Sequence, residues 1–235
     1  MLSKTIKRFY KQAGTAPAEI GFSIVLDGRP VKTPAGKHLQ VDSHRLAEAI
    51  VAEWQAQGEQ VLPHTMPMTQ LASTAHDRIG PERPLILDQL IKYAGTDLLC
   101  YRADFPPDLA LRQTEAWQPV LDWVALALDA PLVPTVGVIA IEQPAESLAA
   151  LRAHLHSRDL WTLTAIQAAT AAAGSLVLGL ALAEGRLTGA EAYALSQLDE
   201  TYQIEQWGED EEARQRRALL ERDILAAERL LTLTR

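Results

Sequence analysis

Residues 198–212 read LDETYQIEQWGEDEE and carry seven carboxylates with no basic side chain among them. Carboxylates at a helix N-terminus are favoured by the positive end of the helix dipole, which accounts for Glu209, Asp210, Glu211 and Glu212 if a helix starts there. Asp199, Glu200 and Glu205 read differently. The apolar stripe Ala192, Leu195, Leu198 and Tyr202 runs through them, placing them towards the C-terminal half of one helix. Negative charge is unfavourable there, which points to a partner that supplies positive charge. Trp207 sits among these acids. Such a residue either anchors an interface or fills a core, and the sequence leaves both open.

Other chemistry-bearing clusters are weaker. His64, Met66 and Met68 alternate in PHTMPM and could face a soft metal, but thioethers are scarce elsewhere, so a proline-rich connector with apolar contacts is expected. Ser73, His76 and Asp77 fall within one helical turn, which seldom gives a catalytic triad its geometry, so a polar helix face is expected. His154 and His156 are two apart and diverge on a helix. Leu26 to Pro30 has one glycine and no following helix, so it is a turn and not a phosphate cradle. Cys100 has no activating neighbour and reads as a buried structural thiol. A nucleic-acid surface would need a dense basic patch, and only Lys4, Lys7, Arg8 and Lys11 approach one.

The elements that position these residues change in character along the chain. Thr5–Lys11 and Gly21–Leu26 are strand-like, Asp27-Gly28 and Pro34-Ala35-Gly36 are turns, and Arg29–Thr33 and Lys37–Val41 are short strands between them. Asp42-Ser43 caps a helix whose Leu46, Ile50 and Trp54 share a face, ended by Gly58. Helices are expected at Pro67–Arg78, Pro84–Tyr93, Pro107–Leu128, Ala145–His156 and Asp159–Ala173, resuming after Ser175. Asp97–Arg102 and Val136–Ile141 read as extended. Thr188 and Glu191 form a capping box, and a last helix runs from about Asp210. The fold class is therefore α+β: a small β-rich N-terminal domain over 1–64, with antiparallel hairpins and one helix, then a larger, mostly α-helical domain over 65–235.

Composition agrees. The 235 residues hold 30 acids and 22 bases, a net charge of −8, yet residues 1–63 carry eight bases and six acids. A single cysteine excludes an intrachain disulfide. Leu160–Ala183 has no charge and could span a bilayer by length, but its threonines, Gln167 and many alanines make a buried helix pair broken near Gly174-Ser175 the better reading. The basic start lacks an apolar signal core and is read as the first strand, so no targeting segment is expected.

Several ordered segments together resemble one family. They are Arg8-Phe9-Tyr10-Lys11, LDGRPVKTPAG from Leu26 to Gly36, Glu53-Trp54, MPMTQLASTAHDR from Met66 to Arg78, and TDLLCYRA from Thr96 to Ala103. Trp117-Gln118-Pro119, Leu121-Asp122-Trp123 and LDETYQIEQWGEDEEA with Arg216-Arg217 complete the set. The chain resembles the assembly chaperones for the catalytic head of F-type ATP synthase, the Atp-twelve type. The resemblance implies a soluble, monomeric chaperone that binds the free alpha subunit until it meets beta. It implies that the chaperone uses no nucleotide itself, and with the residue readings above no enzyme activity, cofactor, metal, nucleic acid or membrane insertion is expected. The family's important acidic position falls on Asp199, where many relatives carry glutamate. The face expected to dock the client carries Asp199, Glu200, Gln203 and Trp207, continued by Glu209 and Asp210. The implied compartment is a bacterial cytoplasm, or the mitochondrial matrix in a eukaryote. The alternative is an enzyme of unrecognised type with a pocket in the helical domain.

Overall fold

The computed structural model describes residues 6–137 and 139–235. Lys4 of the basic arm, Thr5 of the expected first strand and Val138 of the expected strand at 136–141 lie outside them. The chain divides into two compact units: one runs up to Arg83 and takes in Arg229–Arg235, the other is Pro84–Glu228. The sequence suggests a boundary at 64/65; the division by contacts falls after Arg83.

The first unit is built on hairpins. After β1 (Ile6–Lys7) come β2 (Ala13–Pro17), β3 (Phe22–Leu26), β4 (Arg29–Pro30) and β5 (Gln40–Val41). β3 is the hub of this antiparallel sheet: β2 and β4 flank it, and β5 pairs with its first two residues. Asp27 and Gly28 take φ of 47° and 78°, the left-handed pair that a two-residue hairpin needs, which is why Gly follows Asp there. The Asp27 carboxylate accepts N–H bonds from Lys11 and Gln12 at 3.0 and 2.9 Å, which hold its pKa below the usual range. β2 has no sequence signal, since AGTAP contains one strand former. It forms because β3 offers it a full five-residue register, from Ala13 opposite Leu26 to Pro17 opposite Phe22.

Ser43 caps α1 (His44–Gln55), whose Leu46 and Ile50 are fully buried. β6 (Gln60–Val61) then returns to pair with β1. α2 (Pro67–Thr74) has no cap of its own and runs into a π-helical turn at Ala75–Ile79. Its N-terminus is capped from α1: the buried Glu53 carboxylate accepts the Met68 and Thr69 N–H groups at 2.7 and 2.8 Å and the Thr69 hydroxyl at 2.8 Å. This explains structurally why Glu precedes Trp54. Two residues of the expected polar helix face, His76 and Asp77, form a clamp. Asp77 accepts from the Thr33 hydroxyl and Ala35 N–H, and His76 Nε2 meets the Gln40 carbonyl, so the helix pins the second hairpin. Met66 and Met68 are buried.

The second unit is helical. α3 (Arg83–Gly95) leads to Asp97–Arg102, which is not extended throughout as expected. Asp97 accepts the Leu99 N–H at 3.1 Å and starts a 3-10 turn at Leu98–Cys100, leaving only β7 (Tyr101–Arg102) as strand. α4 (Pro107–Ala127) follows, and β8 (Thr135–Val136) pairs parallel with β7. Then come α5 (Ala145–His156), α6 (Leu160–Ala173), α7 (Leu176–Ala183), α8 (Gly189–Ser196), α9 (Leu198–Trp207) and α10 (Glu211–Thr234).

The uncharged stretch is the buried pair α6–α7. All eight residues of α7 are buried, Gly174 ends α6 at φ 70°, and Ser175 caps α7. A Cβ on Gly179 would lie 2.5 Å from Thr170 Oγ1, so only glycine permits this approach of the two helices. Among the described residues no helix is long and apolar enough to cross a membrane. Fully buried Asp97 fastens this pair, accepting from the Ser175 hydroxyl at 2.7 Å and the Val177 N–H at 3.1 Å.

Two outcomes follow. Glu53→Ala strips three donors of their acceptor and should lower the unfolding free energy by about 2–4 kcal/mol in urea denaturation. Burial raises the Asp97 pKa to about 6, so the native state holds its proton more tightly than the unfolded chain does. Its contribution is present below the unfolded value and lost as pH rises through about 6. Between about pH 4 and pH 7, Asp97→Asn should remove up to about 3 kcal/mol of that pH-dependent loss in denaturant melts.

Candidate functional site

The acidic segment does not lie on one continuous helix. The chain breaks at Gln197, and α9 starts at Leu198, so Asp199 and Glu200 occupy its first turn. Negative charge is favourable there, so neither acid sits against the helix dipole as expected from the sequence. Glu205 does lie near the helix C-terminus, but Arg112 of α4 binds it at 2.7 Å. No partner need be invoked for these three charges on dipole grounds.

Side-chain spacing divides α9 into two edges. Asp199, Tyr202 and Glu205 face α4, and each meets a partner there. The Gln113 carboxamide donates to Asp199 Oδ1 at 2.8 Å, the Tyr202 hydroxyl donates to the Asp108 carboxylate at 2.9 Å, and Glu205 takes Arg112. The Arg112 guanidinium also lies 5.3 Å from the Tyr202 ring centre. Burial, then the Asp108 carboxylate, raises the Tyr202 pKa.

Gln113 is the centre of this junction. It is 1% exposed, and its side-chain oxygen accepts the Ala103 N–H at 2.7 Å while its NH₂ holds Asp199. Arg102 of β7 donates to the Gln113 carbonyl at 2.5 Å and covers the Trp117 ring at 5.2 Å. Trp117 in turn donates to the Leu195 carbonyl on α8. β7, α4, α8 and α9 are thus fixed together through buried polar contacts.

The opposite edge of α9 carries Glu200, Gln203, Ile204 and Trp207, spaced i, i+3, i+4 and i+7. They line a cleft of about 290 Å³ with Gly208, Glu209, Asp210 and, from α10, Ala213, Arg216 and Arg217. Trp207 is 79% exposed, which decides its reading: it is a surface residue. Asp210 caps α10 by accepting the Ala213 N–H at 2.8 Å. Arg217 donates to Glu209 at 3.0 Å and to the Thr201 hydroxyl at 3.0 Å, holding α10 against α9.

Residues 7–125 match the family model described as ATP12 chaperone protein. The chain is 30% identical to "Protein atp12, mitochondrial" of Schizosaccharomyces pombe, over 89% of this chain and 76% of that one. The chain belongs to the ATP12 chaperone family. The crystal structure of Atp12 from Paracoccus denitrificans matches with a TM-score of 0.91 at 41% identity, covering 98% of this chain and 99% of that one. A variant of the Paracoccus protein with aspartate replaced by lysine matches with the same TM-score of 0.91. The small strand-rich unit followed by helices is the ATP12 fold.

Within this ATP12 fold, five of the six sequence candidates come together in the cleft: Glu200, Gln203, Trp207, Glu209 and Asp210. Asp199 is half-buried on the inward edge. Sequence reasoning missed Gln113, Arg102, Asp108 and Arg112, which hold α9 from a distant stretch of chain. It also missed Ile204, which the spacing from Glu200 could have found. Cys100 is buried, and burial with Asp97 nearby pushes its pKa to about 12, so it stays a thiol. His154 and His156 do not share a centre: His154 sits between Glu184 and Arg158.

Because an amide oxygen accepts as a carboxylate does, Asp199→Asn should leave stability within about 1 kcal/mol. Gln113→Ala, which leaves Ala103 N–H and Asp199 unpartnered, should cost about 2–3 kcal/mol in urea denaturation and speed hydrogen exchange in α9.

Proposed function

We propose that this protein is an assembly chaperone for the catalytic head of F-type ATP synthase. It binds the free alpha subunit and holds it soluble until beta arrives, using no nucleotide itself. The observation that carries the reading is the outward edge of α9, where an almost fully exposed Trp207 sits in one cleft with Glu200, Gln203, Glu209 and Asp210. A subunit waiting for its partner exposes an apolar interface that aggregates if left bare. An aromatic anchor gives such an interface affinity, and a rim of carboxylates gives it speed and selectivity.

The six residues then divide by role. Glu200, Gln203, Trp207, Glu209 and Asp210 touch the client. Asp199 acts through Gln113, setting the pitch at which α9 presents them. The protein works as a monomer, in the cytoplasm of a bacterium or the mitochondrial matrix of a eukaryote. Two yeast relatives are named as mitochondrial.

Co-expression with the alpha subunit of the host's ATP synthase tests this, read as soluble alpha and as alpha that co-purifies. The unaltered protein should raise both. Trp207→Ala and Glu200→Lys, folded by circular dichroism, should each lower co-purification about tenfold or more. Alpha that stays insoluble with the unaltered protein defeats the functional reading. Alpha that co-purifies equally with both variants moves the docking face elsewhere.

A further inference from the structure

The first unit holds another surface that α9 does not explain. Two clefts, of about 780 and 630 Å³, share Val31, Lys32 and Trp54 as a common wall. Lys32 and His38 face each other in an antiparallel bridge whose hydrogen bonds are made by their neighbours: Thr33 N–H to the Lys37 carbonyl at 2.8 Å and Leu39 N–H to the Val31 carbonyl at 2.9 Å. In such a pair the bridged residues turn their own N–H and C=O outward. Lys32 therefore presents both backbone groups on the open side, and neither has a partner among the described residues. Pro30 and Pro34, one alternation to either side, bring no N–H. The prolines blunt the edge against continuous sheet growth and leave one donor, Lys32 N–H, between them.

The surroundings say what could pair there. Phe9, 69% exposed, lines one cleft, and Met66 lines the other. Arg29 and Lys32 are exposed and make no ion pair among the described residues. Two carboxylates also line the clefts, but both are already engaged. Asp27 is held by the Lys11 and Gln12 N–H groups, and Asp77 by the Thr33 hydroxyl and Ala35 N–H. Those donors are neutral, so both carboxylates keep their charge but have acceptor oxygens already taken, whereas Arg29 and Lys32 point no donor at a carboxylate among the described residues. The Trp54 indole N–H, buried at the shared wall, also has no acceptor among the described residues.

We propose that this trough binds a short extended segment of a partner polypeptide. One residue of the segment pairs through its backbone with Lys32, apolar side chains enter the clefts, and a carboxylate lies beside Arg29 and Lys32. The inference does not rest on the role given to α9.

Fluorescence anisotropy of the full chain with a fluorescein-labelled peptide, Gly-Thr-Val-Glu-Val-Thr-Gly, tests it. The parent peptide should bind saturably. The same peptide with Lys in place of Glu, and one N-methylated at the Glu, should each bind about tenfold more weakly. Lys32→Pro, which removes charge and the outward N–H together, should bind about fivefold more weakly than Lys32→Ala, which removes only the charge. Should Lys32→Pro fail to fold by circular dichroism, the two altered peptides on the unaltered chain decide alone. No saturation at about 1 mM overturns the proposal, given the millimolar floor of weak recognition. So does equal binding of the N-methylated or the Lys peptide, which would be apolar adhesion without pairing. If only a chain lacking residues 1–5 binds, the occupant is the protein's own N-terminus and the proposal fails.

Discussion

Placing the Asp97 carboxylate at full burial is the most demanding electrostatic constraint in the helical unit, and the unit is organised around meeting it. Isolated in an apolar interior, such a group would stay protonated or unfold its surroundings. Here it accepts the Leu99 N–H, the Ser175 hydroxyl and the Val177 N–H. Those contacts join the chain before β7 to the start of α7, a helix whose eight residues are all buried. From Asp97 the path to the surface is short. Five residues on, Arg102 holds Gln113 on α4, and Gln113 holds Asp199 on α9. The interior thus determines where an exposed tryptophan stands.

α9 has to satisfy two conditions at once. A helix of ten residues has too little buried surface to hold itself, and only Tyr202 of α9 is buried. Three polar contacts to α4 replace the missing core: Asp199 to Gln113, Tyr202 to Asp108 and Glu205 to Arg112. The last is solvent-exposed and screened by water, so the weight falls on the first two. Fastening one edge in this way relieves the other of most of the anchoring, which on that side is left to α10. Glu200, Gln203, Ile204 and Trp207 can then be presented without loosening the fold.

What the sequence could reveal was local. Helix limits with caps came through closely: Ser43 before α1, Asp159 before α6, the Gly174-Ser175 break and the Thr188–Glu191 box are each a backbone satisfied by its nearest side chains. So did the Asp27-Gly28 hairpin, whose left-handed turn demands those residues. Features that depend on distant partners were hidden. β2 exists because β3 lies beside it, α2 is capped from Glu53 at separations of 15 and 16 residues, and Asp77 is claimed by a hairpin. The break at Gln197 has no proline or glycine to announce it. Its only trace is the pair of acids in the turn that follows, which the apolar stripe disguised as mid-helix. That single misplacement reversed the electrostatic argument about Asp199 while leaving its place in the acidic segment unchanged.

The acids around Trp207 also bear on how an exposed aromatic is tolerated. A bare tryptophan on a protruding edge invites self-association, since two copies could stack their apolar surfaces. Here any second copy would bring Glu200 and Asp210 against the same two charges, Glu209 being paired with Arg217. Like charges brought together at an interface oppose association and are costly when desolvated. The same rim lowers the barrier for a surface of opposite charge, and the effect weakens with salt as screening shortens its range. One arrangement therefore discriminates against the protein itself and in favour of a cationic, partly apolar partner. For the assembly-chaperone role proposed above, that combination would leave the Trp207 anchor uncovered in solution instead of consumed in dimers.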